Sequence, residues 1–162
     1  IEQTLRDSRI AMIYEGSNEI QANDLLLRKV LGDGGQGFAL LLEQLRDEAG
    51  HGAQVPECVG FARSLADLAE ALQALVAQVQ QWALEDAEYP YRAAGDFLAL
   101  CGLSLLALAW ARAARVSHSL PEGDPLRGAK LETAGFFFSY LLPQVEQRMT
   151  AVRGARAALA FI

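Results

Sequence analysis

The chain has 162 residues, a formal charge of −6 and an isoelectric point near 4.9, enough length to bury the core of one domain and an average charge that repels phosphate backbones. Nucleic acid is therefore a poor first choice of partner. Two cysteines, Cys58 and Cys101, and two histidines, His51 and His118, are scattered without CxxC spacing, which indicates neither a zinc site nor a disulfide framework and suits a reducing, cytoplasmic setting.

The opening Ile1-Glu2-Gln3 carries no methionine and no leader pattern, and reads as a boundary inside a longer polypeptide. Apolar residues recur at helical spacing almost throughout, so the expected class is all-α, an antiparallel bundle of about six helices, three of them long. A first helix is predicted over 2–12, with Leu5, Arg9, Met12 and Ile13 along one side, ending before Gly16. A second starts at Ser17 or Asn18, with a side-chain cap and a capping-box return from Gln21, and its predicted buried stripe is Ile20, Leu27 and Leu31. Gly32-Asp33-Gly34-Gly35 stops it, and a third helix runs from about Gln36 to Glu48.

Ala49 to Pro56 is rich in helix breakers and reads as the internal linker. It divides the chain into a segment 1–48 and a helical extension 57–162. Beyond it, Phe61, Leu65, Leu68, Leu72, Leu75, Val79 and Trp82 follow a four-three alternation that places all seven on one seam of a long helix. Tyr89-Pro90 ends that helix. The next, from about Tyr91 to Ser117, repeats the alternation with Leu98, Cys101, Leu105 and Leu108. Its most apolar run, Phe97 to Trp110, is fourteen residues long, short of the ~20 a membrane-spanning helix needs, and reads as a core helix. Pro121 to Pro125 turns the chain into a last helix, about 126–160, carrying Leu131, Ala134, Phe138, Leu141, Val145 and Val152 inward and kinked at Pro143.

One segment stands apart chemically. Arg6-Asp7-Ser8-Arg9-Ile10-Ala11-Met12-Ile13-Tyr14-Glu15-Gly16-Ser17-Asn18-Glu19-Ile20-Gln21 is charged, aromatic and glycine-bearing at the break between two helices. A carboxylate there, partly desolvated beside Tyr14, gains basicity and suits a general base. The plain alternative is that Glu15 precedes a helix N-terminus, where negative charge is worth about 0.3–1 kcal/mol.

The run RDSRIAMIYEGSNEIQ resembles the acyl-CoA dehydrogenase motif RDA[RK]I…IYEGT-x-x-IQ, with Ser8 for the usual alanine and Ser17 for the usual threonine. Gly95 to Gly102, Lys130 to Phe137 and Leu141-Leu142-Pro143 resemble the extra C-terminal helical domain of the larger bacterial members. The resemblance implies that Glu15 takes the α-proton of an acyl-CoA thioester while the β-hydrogen leaves as hydride to flavin N5, giving a trans-2-enoyl-CoA. It further implies that the backbone N–H of Glu15 helps hold the thioester oxygen, that Gly16 and Tyr14 lie against substrate, and that Ser17 and Glu19 contact FAD. Glu19 departs from the glutamine or glycine common there, and a first-turn glutamate favoured by the helix dipole is an equal reading. Electron-transfer flavoprotein or a similar acceptor, and a homodimer or larger assembly, are the implied partners of the whole enzyme. The 162-residue piece alone is expected to be inactive.

Two other readings remain open on the sequence. The first is a non-catalytic relative of the DNA-associated alkylation-response type, for which Arg112, Arg115, Arg127 and Lys130 form the one suggestive basic grouping. The second treats 57–162 as an oligomerisation bundle.

Overall fold

A computed structural model describes residues 2–12 and 17–157. Among these residues every regular element is helical and there is no strand, as the periodicity predicts. Helix α1 spans Glu2–Ser8 and tightens into a 3-10 turn, Arg9–Met12. None of its residues is buried, so Leu5 has no core to stack against among the described residues.

Helix α2, Asn18–Asn23, continues without a break into a π-helical segment, Asp24–Leu31. The predicted side-chain cap is absent: Ser17 has near-helical dihedrals and makes no side-chain cap bond, and its carbonyl simply accepts the Gln21 N–H at 2.9 Å. The predicted stripe is also displaced. Ala22, Leu26 and Val30 are buried, Leu27 and Leu31 are half-buried, and Ile20 is 67% exposed. Ile20 stands two residues, about 200°, from Ala22 on the α-helix, so it faces away once Ala22 is buried against the core, and beyond it i→i−5 bonds such as Gly32 N–H to Leu27 C=O, 2.8 Å, continue the segment as a π helix.

The Gly-rich stop is built as expected and stiffened by Asp33, whose carboxylate accepts the N–H groups of Gly35 and Gly37 at 2.8 Å each. Gly34 and Gly35 adopt φ of 69° and 85°, which a Cβ would oppose. Helix α3 then runs Gln36–Gly52, four residues into the stretch read as a linker. Burial of Ala49 and Gly52 explains the extension: a Cβ on Gly52 would stand 3.3 Å from that of Ala62, so here the glycine permits close helix contact instead of breaking the helix. Only the turn 53–55 and a 3-10 turn, Pro56–Cys58, separate α3 from α4.

Helix α4, Val59–Glu85, buries Leu65, Leu68, Leu72, Leu75 and Val79 as predicted, with Phe61 and Trp82 half-buried at its two ends. Helix α5 spans Tyr89–Ser117, so Tyr89-Pro90 opens it instead of closing α4. Proline is favoured in a first turn, where its missing N–H has no partner to lose. By length and composition α5 could cross a membrane, a longer apolar helix than the fourteen-residue run suggested. In this fold it is the central strut, packed against α2, α3, α4, α6 (Pro125–Phe136) and α7 (Gln144–Gly154). Neighbours on several sides replace a single seam, so Phe97, Leu100, Ala107 and Ala111 are buried while the predicted Leu105 is 53% exposed.

The last helix is not one piece. Asp124 caps α6 by accepting the Leu126 N–H at 2.8 Å, and a second π segment, Phe137–Leu141, leads to a turn at 142–143 before α7. Pro143 marks the discontinuity as expected, since it supplies no N–H, and Leu142 bonds back to the Phe137 carbonyl at 2.9 Å. Ala134, Val145 and Val152 are buried and Leu131, Phe138 and Leu141 half-buried. Phe137 and Met149 join the core unpredicted; Met149 shares the buried face of α7 with Val145 and Val152.

Two polar devices lock α5 in place. Near its start, the Tyr89 hydroxyl donates to the Val152 carbonyl at 3.2 Å and Arg92 Nε to that of Ala155 at 2.9 Å, satisfying carbonyls at the end of α7. Burial pushes the Tyr89 phenol up to about 12. Near its other end, Arg115 forks onto Glu48 of α3, with Nη2 donating to Oε2 at 3.0 Å, and Arg112 Nε donates to the same oxygen at 3.1 Å. Glu48 is only 2% exposed. Burial drives its carboxyl upward, but the hydrogen bonds and charges of Arg115 and Arg112 outweigh that and hold it below its ordinary 4.5.

Replacing Glu48 by Gln should therefore cost about 2 kcal/mol and lower the thermal midpoint by roughly 4–8 °C, read by circular dichroism. A carboxylate whose folded value is depressed stabilises above its unfolded value and loses that contribution as pH falls through the folded one. The gap in midpoint between wild type and Glu48→Gln should be full at pH 6–7 on the order of two units above the glutamate range, and shrink as the solution is taken below 4.5.

Candidate functional site

Tyr14, Glu15 and Gly16 lie outside the described residues, so the site is built from what adjoins them. The 3-10 turn ends at Met12 and α2 begins at Asn18, with Ser17 just ahead of α2; the break expected before Gly16 falls outside the described residues. Ser17 is half-exposed and its hydroxyl is not spent on capping α2. Glu19, exposed in the first turn, turns toward α5: its Oε1 lies 3.6 Å from where a Cβ of Gly95 would stand. Ser17 and Glu19 thus sit on the same short stretch but present their side chains differently, one uncommitted and one resting over a neighbouring helix.

Between the first turn of α2 and the first third of α5 runs an open groove of about 590 Å³, walled by Asn18, Glu19, Tyr91, Arg92, Asp96 and Leu98 among others. Its charges are largely tied up. Arg92 is paired with Asp86 and bonded to the Ala155 carbonyl, and Asp96 accepts from Arg148 Nη1 at 2.7 Å. Glu19 has no ion-pair partner among the described residues.

The groove walls on α5 were not singled out as site residues in the sequence. Gly95 carried the available signal, being an isolated glycine inside a strongly helical pattern, which points to close approach by a neighbour.

The basic grouping is not a free patch. Arg112 and Arg115 are bound to Glu48, Arg127 to Glu57 at 3.2 Å and to His118 at 2.9 Å, and Lys130 lies 5.5 Å over the Trp110 ring. Counter-charges within the fold thus remove much of what a phosphate backbone would be attracted to. The cysteines are likewise inert in form. Burial, followed by the charges of Glu57 and Glu48, pushes the Cys58 thiol up, and burial alone pushes Cys101 up to about 12.

A helical bundle that follows a charged, glycine-bearing interhelical break is the architecture expected of the C-terminal region of acyl-CoA dehydrogenases. Residues 41–161 match the family model described as acetyl-CoA dehydrogenase C-terminal like, and the chain belongs to that family. It is 34% identical over 150 residues to 3-methylmercaptopropionyl-CoA dehydrogenase of Ruegeria pomeroyi, a match covering 88% of this chain and 25% of that protein. Over 88 residues it is 35% identical to the broad-specificity linear acyl-CoA dehydrogenase FadE5 of Mycobacterium tuberculosis, covering 50% of this chain and 14% of the relative. The chain thus spans a quarter or less of the length of these curated relatives. No solved structure matches it significantly.

Native protein treated with iodoacetamide at pH 8 should keep both thiols unmodified, and denatured protein should take up two labels, as intact mass will show. Rapid labelling of Cys101 in the native state would contradict its burial.

Proposed function

We propose that this chain is the C-terminal part of an FAD-dependent acyl-CoA dehydrogenase that converts an acyl-CoA thioester to its trans-2-enoyl-CoA, with Glu15 as the base. The observation that carries the reading is the match along 88% of the chain to an acyl-CoA dehydrogenase, joined to the register of Tyr14-Glu15-Gly16-Ser17 in the motif.

In this reading the Glu15 carboxylate accepts the α-proton, and its backbone N–H donates to the thioester oxygen, where negative charge grows as that proton leaves. Gly16 leaves room for the thioester beside the base, and Tyr14 walls the acyl group. Ser17 fits a role in holding FAD, because its hydroxyl is half-exposed and unspent on its helix, free to donate to a phosphate or ribityl oxygen. When bound, FAD supplies the acceptor for the β-hydrogen. Glu19 adds no donor toward a pyrophosphate, and its position over Gly95 favours a contribution through helix packing.

The whole enzyme is read as a cytoplasmic homodimer or larger assembly that passes electrons to electron-transfer flavoprotein or a similar acceptor. The isolated 162 residues are read as inactive. Internal pairing of the basic residues weighs against the DNA-associated alternative.

The test is Glu15→Gln in the full-length protein, assayed with an artificial electron acceptor against 3-methylmercaptopropionyl-CoA and linear acyl-CoAs of graded length. A fall in kcat of roughly 10²–10⁴-fold is expected, with flavin still bound. An undiminished rate would remove Glu15 from the mechanism.

A further inference from the structure

The middle of α5 is left partly uncovered by its neighbours. Leu105 is 53% exposed there and borders an open groove of about 510 Å³ between the π segment after α2, the start of α3 and α5. Leu25, Leu41, Leu98 and Leu105 line it, and Lys29 is its one charged side chain. That ammonium already lies 3.4 Å from the Asp24 carboxylate, so the groove calls for apolar side chains and no counter-charge.

Gly102 stands exposed on the same wall, and nothing outside its own helix backbone comes within 4 Å of where its Cβ would be. Glycine weakens a helix interior relative to alanine, and no contact within the described residues requires one here. Half-exposed leucines beside such a glycine are what a surface shows where another polypeptide comes close.

Two observations bear on what that polypeptide is. The first is length. The match over 88% of this chain takes up 25% of the Ruegeria pomeroyi relative, so most of an enzyme of that size lies outside the bundle. The second is continuity. At Leu98 the groove meets the one that runs beside Asn18 and Glu19, where the motif proposed to face substrate and FAD comes to its end. Whatever body completes the contacts to those molecules has to reach the start of α2, and the apolar groove adjoins that point along α5.

We propose that this groove is the docking face for the remainder of the same enzyme chain, an apolar segment of which closes over Leu98, Gly102 and Leu105. The inference rests on the function proposed above, since it takes the chain to be part of a larger acyl-CoA dehydrogenase.

The experiment uses the purified full-length flavoprotein, with its dehydrogenase activity measured first. Leu105 is replaced by the photo-reactive p-benzoylphenylalanine, the protein is irradiated, and the product is sized under denaturing conditions and mapped by peptide mass. A link at monomer mass to a peptide outside residues 1–162 is expected. A link at twice the monomer mass would assign the groove to a second copy, and the absence of any link would leave it open to solvent; either overturns the proposal.

Gly102→Leu supplies an independent reading through the sign of its effect. In an open groove the added side chain removes a helix-interior glycine and covers apolar surface, so the thermal midpoint of the full-length protein would rise. Beneath a closely packed segment it has no room, and the midpoint should fall. A midpoint that rises or stays unchanged overturns the proposal. A wild-type protein that dehydrogenates no acyl-CoA would instead overturn the assigned function, while the cross-link would still report which polypeptide covers the groove.

Discussion

Close approach to one helix is the constraint on which this structure depends. Helix α5 has neighbours on several sides, and it accommodates them with alanine: Ala93, Ala94, Ala107, Ala111 and Ala114 are all buried. Small side chains let backbones come together, and the area removed from water is then shared among many contacts instead of concentrated in one seam. The larger groups that fill the remaining space come mostly from the partners, as with Leu26 from the π segment after α2, Leu45 from α3, Leu72 from α4 and Met149 from α7. A bundle organised in this way has a hub that five other helices touch, although α3 and α4 pack most extensively against each other.

Polar groups then fix what apolar packing leaves free. Burial is non-directional and would tolerate sliding of one helix along another. Sliding of α7 is opposed by Tyr89 and Arg92, which bond to the carbonyls of Val152 and Ala155. Sliding of α3 is opposed by Glu48, which would lose Arg115 and Arg112 with any shift of a turn. A carboxylate at 2% exposure is tolerable only while both guanidinium groups meet it, so the same arrangement that sets the register also makes it costly to change.

The features that identify the family and those proposed to carry its chemistry lie on different parts of the chain. The family match runs from residue 41 to 161, through the bundle, whereas the motif that resembles a base-bearing segment ends at Gln21. Helix α2 and its π continuation join the two, and α2, which carries the last residues of the motif, packs against α5. The helix that organises the core also presents the surface against which α2 is laid.

The sequence by itself determined the helical class, the seam of α4 from Leu65 to Val79, the Gly32–Gly35 stop and the break at Pro143, because each of these follows from local geometry: residue spacing, a left-handed turn or a missing N–H. It also carried the motif around Glu15, which is a matter of residue identity in order. Tertiary structure decided which face of α2 is buried, that α3 continues to Gly52, that Tyr89-Pro90 opens a helix, and that Leu105 is exposed while Phe137 and Met149 are not. It also decided that the four clustered basic residues are engaged within the fold. Those outcomes depend on neighbours distant in sequence, to which a one-dimensional periodicity has no access.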